Sequence, residues 1–121
     1  MRYSDEVLNR VRQPQRAGAL DGEHVGTGEV GTLDDGTVVR IQVRRSGDRI
    51  AEARFKVFGC SAAIASASLV AEWLEGAAIV EAGAVTPERV VQALGLPAER
   101  HHVARMAVAA GMKALEQAEK K

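Results

Sequence analysis

The sequence predicts an α+β fold, a three-stranded antiparallel sheet with helices packed on one face. Three observations carry this. Residues 25–58 hold three strand-like stretches separated by two turn signals. In the second and third stretches, apolar and charged residues alternate, so one sheet face is solvated and the other must be covered. From residue 60 onward the alternation stops, and small residues, strong helix formers and helix caps take over. The 121 residues read as a single domain, 1–121, with no repeat, linker or low-complexity tract.

In order, Ser4 is placed to cap a short helix over Asp5 to Arg12. Its apolar face is Val7, Leu8 and Val11, its acidic first turn is Asp5 and Glu6, and Pro14 ends it. It reads either as a surface element packing on the sheet or as an exposed partner-binding arm. Residues 14–24 read as a loop. Val25 to Thr32 is a glycine-laden strand whose backbone approaches another group closely. Leu33-Asp34-Asp35-Gly36 is a turn. Thr37 to Arg44 follows as a strand with Val39, Ile41 and Val43 on one side, Arg45 to Asp48 turns the chain, and Arg49 to Phe58 returns.

A helix is expected from Cys60 to about Glu75, closed by Gly76, with Ile64, Ser68, Val70 or Ala71, and Leu74 at helical spacing and Trp73 half-exposed. Ala77 to Ala82 reads as a short helical turn. Thr86 caps a helix that has Pro87 at its first position and runs to Leu94. Pro97 opens the last helix, with Val103, Met106, Ala107, Ala110 and Ala114 as its core stripe, slightly weakened by Gly111. A frayed end is expected over Glu116 to Lys121.

Composition narrows the function. The 16 basic and 16 acidic side chains balance, which argues against nucleic acid or an anionic membrane surface as partner. A single cysteine excludes an internal disulfide and fits a reducing cytoplasm. No signal-like apolar segment opens the chain, and no apolar run approaches the ~20 residues of a membrane span.

The chemistry centres on Cys60. Gly59 allows the abrupt passage from strand to helix, so Cys60 stands at or just before a helix N-terminus, where unpaired N–H groups favour a negative sulfur. A thiolate is both a nucleophile and a metal ligand, whereas a lone cysteine is more often a small core residue. Asp34 and Asp35 in the first turn, and His101 and His102 early in the last helix, could converge with it. Such a mixed set suits zinc or iron. Spacing alone carries little weight here, since turn chemistry explains the aspartates and two histidines early in a helix are usually solvated.

Tyr3, Val7, Pro14 and Gly18, the Val25-Gly26-Thr27-Gly28 strand, and Ala53-Arg54-Phe55-Lys56 followed by Gly59-Cys60 resemble the iron–sulfur cluster assembly scaffolds of the IscU / NifU N-terminal family. So do Ala63-Ile64-Ala65-Ser66, Ser68, Glu72-Trp73, Leu94 and Leu96-Pro97. The resemblance runs over nearly the whole chain. It implies a three-stranded antiparallel sheet with helices on one side, and a site of three cysteines, an aspartate and a histidine that holds zinc or builds a cluster. It also implies cysteines that accept sulfur from a cysteine desulfurase. Mapped here, the second cysteine is Cys60 and the histidine is His102. The first cysteine falls on Asp35, the aspartate on Thr37 and the third cysteine on Val103. The family's leucine-proline-proline-valine-lysine segment reads Leu96-Pro97-Ala98-Glu99-Arg100.

One thiolate is too few for a conventional 2Fe-2S cluster in one subunit, since clusters commonly take about four. The expected site is a zinc or iron ion on Asp35, Cys60 and His102, with Asp34 or water as fourth donor, or a sulfur carried on Cys60. A homodimer would bring two Cys60 and two His102 together. The expected partner is a cysteine desulfurase-like or other iron–sulfur assembly protein. The alternative is a degenerate scaffold that acts as a non-cluster adaptor or regulator. A third reading is a thiol enzyme with His102 as base to Cys60, for which no orienting group or oxyanion site can be named.

Overall fold

The computed structural model describes residues 2–119. Its elements run α1 (Asp5–Arg12), β1 (Val25–Thr32), β2 (Thr37–Ser46), β3 (Arg49–Phe58), α2 (Ser61–Leu74), α3 (Pro87–Leu94) and α4 (His101–Glu119). Short 3-10 segments cover Ile79–Ala84 and Ala98–Arg100. The strands form an antiparallel sheet in the order β1-β2-β3.

Alternation decides the two sheet faces. Val39, Ile41, Val43, Ala53 and Phe55 are buried and point to the helices. Arg40, Gln42, Arg44, Glu52, Arg54 and Lys56 occupy the opposite face. That face is only partly solvated, because the loop before β1 lies over one end of it. Arg44 donates to the Asp21 and Glu23 carbonyls, both at 2.7 Å, and the Gln42 side chain accepts from the Leu20 N–H at 2.9 Å.

α4 lies along β1 and β2, and α2 lies along β3 and against α4. Close approach between α4 and β1 requires that β1 carry no side chain at Gly26 and Gly28 on its inner face. A Cβ on Gly26 would fall 2.0 Å from the Ala114 carbonyl oxygen, and one on Gly28 would fall 2.0 Å from that of Ala110. Ala110, Ala114 and Ala118 form the matching stripe. Gly111, expected only to weaken α4, sits where that helix meets Leu74 and Val70 of α2.

α2 is enclosed by the sheet, α1, α3 and α4. It is therefore buried nearly all round, from Ala62 to Ala71, rather than along one stripe, and Trp73 is half-exposed as expected. Cys60 is its N-cap rather than its first residue. α1 packs chiefly on α2 and, more lightly, on α3. Val7 is buried, Val11 is half-buried, and Leu8 faces solvent, departing from the expected apolar face. Ser4 caps α1 by accepting from the Val7 N–H at 3.2 Å, and its hydroxyl also donates to the Leu94 carbonyl, tying the α1 start to the α3 end.

Local signals place α3 as expected. The Thr86 hydroxyl accepts from the Arg89 N–H, Pro87 opens the helix, and Gly95 closes it in the left-handed region at φ 61°. α4 remains helical to Glu119 with Ala118 buried, so the expected fraying is not seen there, and Lys120 and Lys121 lie outside the described residues.

The outer edge of β3 is closed by local chemistry. Gly18 donates to the Phe55 carbonyl at 2.9 Å, and Phe55 donates to that of Arg16 at 3.0 Å. The Ala53 N–H is taken by the Glu75 carboxylate at 3.0 Å, which also pairs with Arg16 and Arg54, both at 2.8 Å. Burial pushes the Glu75 carboxyl up. The Ala53 N–H and the guanidinium groups of Arg54 and Arg16 outweigh it and hold the group below the ordinary carboxylate range.

Candidate functional site at the Cys60 end of the sheet

The strand pairing puts three of the expected features at one end of the molecule. Thr32 pairs with Thr37 across the β1–β2 turn, and Val38 pairs with Phe58, so the Asp34-Asp35 turn and the β3–α2 junction share a sheet end. The 3-10 turn before α4 comes near the same end, since the Cys60 sulfur is among the groups that hold the Arg100 guanidinium above its ordinary value.

Cys60 is a free, half-exposed thiol. Its backbone is extended (φ −80°, ψ 171°), and its carbonyl accepts from the Ala63 and Ile64 N–H groups at 3.0 and 3.1 Å. Its sulfur caps no N–H of α2. The Gly59 requirement is met differently from the abrupt turn expected. A Cβ there would come 3.2 Å from Thr37 Cγ2 and 3.4 Å from its hydroxyl oxygen, so glycine makes room for Thr37 beside Cys60.

The acidic turn looks inward to itself. Asp35 accepts from the Thr32 hydroxyl at 2.8 Å, while its N–H donates to the Thr32 side-chain and main-chain oxygens, both at 3.2 Å. Asp34 is exposed. His102 is exposed on the first turn of α4, and the His101 ring nitrogen Nε2 lies 3.2 Å from the Leu96 carbonyl. Val103 is fully buried in the core. Among the described residues, no group of three or more His, Cys, Asp or Glu side chains gathers closely enough to hold a metal ion. The expected donors Asp35, Cys60 and His102, with Asp34, thus share an end of the fold without forming a three-donor centre in this structure.

A residue not anticipated as functional, Arg100, lies in the 3-10 turn before α4. Arg100 donates through Nε to the Tyr3 hydroxyl at 3.2 Å and through a terminal nitrogen to the Glu99 carbonyl at 3.2 Å. The Tyr3 hydroxyl and, less strongly, the Cys60 sulfur hold Arg100 above its ordinary value. Its only trace in the sequence is the leucine–proline segment, because 40 residues separate it from Cys60 and 97 from Tyr3. Beyond Cys60, Phe58 and Leu33 present exposed apolar surface, 58% and 69% accessible, beside a groove of about 480 Å³ that Arg40 and Lys56 also line.

Residues 2–121 match the model of the NifU-like N-terminal domain family. The chain is 38% identical over 110 residues to the iron–sulfur cluster assembly scaffold protein IscU of Haemophilus influenzae, covering 88% of this chain and 87% of that one. It is equally similar to IscU of Escherichia coli K12, at 38% over 110 residues, 88% of this chain and 86% of that one. Among solved structures it superposes on a NifU-like N-terminal protein from Brucella abortus with TM-score 0.75 at 18% identity, covering 98% and 94% of the two chains. A second is a SUF-system scaffold protein from Fervidobacterium islandicum, described as putative, with TM-score 0.61 at 20% identity and coverage of 98% and 94%. These two likenesses speak for the fold, the three-stranded antiparallel sheet with its helices.

Proposed function

Because the chain belongs to the NifU-like N-terminal domain family, we propose that it is an iron–sulfur cluster assembly scaffold of reduced ligand set, whose working residue is Cys60 and whose first cargo is sulfur. The observation that carries this reading is a free, half-exposed thiol at the β3–α2 junction. A half-exposed sulfur is reachable by a partner's persulfide, and a buried structural cysteine is not.

Sulfur transfer needs only one nucleophile. The Cys60 thiolate attacks the outer sulfur of a donor persulfide. A new S–S bond forms on Cys60, the donor S–S bond breaks, and the donor leaves as a thiolate. The exchange is redox-neutral. The donor is a cysteine desulfurase-like partner, the setting is cytoplasmic, and the protein acts stoichiometrically rather than as an enzyme.

Iron enters as cargo. In one chain, Cys60, His102 and Asp35, with Asp34, are the donors it would meet, and they do not gather without movement of the turn or of the α4 opening. A conventional cluster therefore needs thiolates from a second copy or a partner. Zinc on the same donors is part of the same proposal. The adaptor reading is not favoured, since the relatives reported above are assembly scaffolds.

The test is anaerobic loading with ferrous iron, L-cysteine and a cysteine desulfurase, followed by assay of protein-bound iron and acid-labile sulfide. Wild type should retain both and Cys60→Ala neither. Equal retention by the two would refute Cys60 as the working residue.

A further inference from the structure

Main-chain N–H and C=O groups on a strand edge require partners, and those left open are a template for another strand. Most of the outer edge of β3 is closed. Ile50 donates to the Ala77 carbonyl at 2.9 Å and accepts from the Gly76 N–H at 2.7 Å. Ala53 donates its N–H to Glu75, and its carbonyl accepts from the Arg54 guanidinium. Phe55 donates to the Arg16 carbonyl and accepts from the Gly18 N–H. The next outward residue is Val57, because Val57 faces Val39 in the same alternation that sets Phe55 opposite Ile41. Among the described residues, neither the N–H nor the carbonyl of Val57 has such a partner. Cys60 follows three residues later.

The chain itself stops the pairing at that point. Residues 16–18 run parallel to β3 through the Ala17–Phe55 bridge. Continued in register, the Gly18 carbonyl would accept from Val57 and the Leu20 N–H would donate to it. Gly18 instead adopts φ 139°, open to glycine and poor for other residues, and the Leu20 N–H goes to the Gln42 side chain on the outer sheet face. The departure leaves a groove of about 320 Å³ at Val57, lined by Pro14, Ala17, Phe55 and, from α2, Ile64. A Cβ on Gly18 would meet nothing within 4 Å there. The opposite edge of the sheet, along β1, is open at Glu29 as well, but it stands two strands away from the β3–α2 junction.

We propose that the open length of the β3 edge at Val57 seats an extended segment of the sulfur donor, the segment of a cysteine desulfurase-like partner that bears the persulfide. It adds as a short strand where residues 16–18 leave off. The occupant is an extended chain, and not a helix or a small molecule, for two reasons. The edge offers one main-chain donor and one main-chain acceptor, and it already holds a segment of this chain in that form. In an antiparallel arrangement one partner residue exchanges both bonds with Val57. A sulfur three residues along that segment then comes level with Cys60, about 10 Å from the paired residue at ~3.3 Å per residue. The apolar groove receives a small side chain of the same segment. The inference rests on the reading of Cys60 as the sulfur acceptor and adds how the donor is aligned with it.

The experiment compares two sulfur donors on the full chain. One is a cysteine desulfurase with L-cysteine, which presents its sulfur on a polypeptide. The other is inorganic polysulfide, which has no main chain to pair. Intact-mass spectrometry reads the initial rate at which Cys60 gains sulfur, with the desulfurase below saturation. Val57→Pro removes the N–H at an edge position, where a strand accepts proline. Ala17→Glu, at an exposed position, fills the groove and leaves the main-chain bonds of Arg16 and Gly18 in place. Each should slow loading from the desulfurase about fivefold, the span of one main-chain hydrogen bond, and leave loading from polysulfide unchanged. Wild-type rates from the desulfurase in both variants would overturn the inference while Cys60 stands. Equal losses with both donors would overturn it too, because the edge would then shape the thiol instead of seating the donor. So would a dimer of this chain that Val57→Pro dissociates, since the edge would then belong to a second copy. If wild type gains sulfur from neither donor, the underlying reading of Cys60 falls, and this inference with it.

Discussion

The two ends of this molecule's logic lie in the β1–α4 interface and in the β3–α2 junction. Both depend on glycine next to a helix, and they use it oppositely. At β1, Gly26 and Gly28 let the α4 backbone come so near that a Cβ would overlap its carbonyl oxygens at 2.0 Å. At the junction, Gly59 leaves a Thr37 methyl 3.2 Å from where its own Cβ would be, and the next residue is a half-exposed thiol. The first contact is dry, apolar and carries stability. The second is open, polar and carries chemistry. Substitutions in the first should therefore be costly to the fold, and those in the second should be nearly silent in the fold and decisive for sulfur.

The largest expected effect tests the first region. Gly28→Val places a branched side chain against the Ala110 carbonyl and forces α4 off the sheet. Overpacking of this severity should cost about 3 kcal/mol or more, read as a lower urea midpoint, and rotamer changes do not relieve it because the obstacle is backbone. A loss under about 0.5 kcal/mol would show that α4 does not sit on β1 as described.

An intermediate effect comes from Glu75, which joins the β3 edge to the loop before β1. Its folded-state carboxyl titrates below its ordinary value, so the stabilisation is complete above that ordinary value and disappears as pH falls through the lowered one. Glu75→Gln should cost about 1 kcal/mol at neutral pH, a figure set low because the pairs are partly solvated. The gap between variant and wild type should close in acid. A gap that persists unchanged below pH ~3 would mean that the carboxylate charge is not what is lost.

The smallest stability effect belongs to the second region. Cys60→Ala should shift the urea midpoint by no more than about 0.5 kcal/mol, because the thiol caps no helix N–H and is half-exposed. A loss of several kcal/mol would make Cys60 a core residue and remove the contrast.

The same contrast explains what was legible in the sequence. Local signals placed elements well: Thr86-Pro87 opens α3, and alternation bounds β3. The three-stranded sheet and its helical cover followed from periodicity. Leu8 was assigned inward because helical spacing says which residues share a face, and not how wide a face the neighbours cover. The whole-round burial of α2 was missed for the same reason, since it depends on how many elements surround it.

At the site, the sequence singled out Cys60 and its glycine, and offered the acidic turn and His102 as groups that could converge with it. It could not say whether their side chains meet, because Asp35 had a nearer partner in Thr32. The Arg100–Tyr3 hydrogen bond was invisible too, since it joins residues 97 positions apart and belongs to no local pattern.

The most direct test of the account is the intact mass of the protein after incubation with a cysteine desulfurase and L-cysteine alone, with the modified residue mapped by peptide fragmentation. The account predicts one added sulfur atom on Cys60 in wild type and none in Cys60→Ala. Wild-type protein that gains no sulfur, although the desulfurase is shown to be turning over, would contradict it.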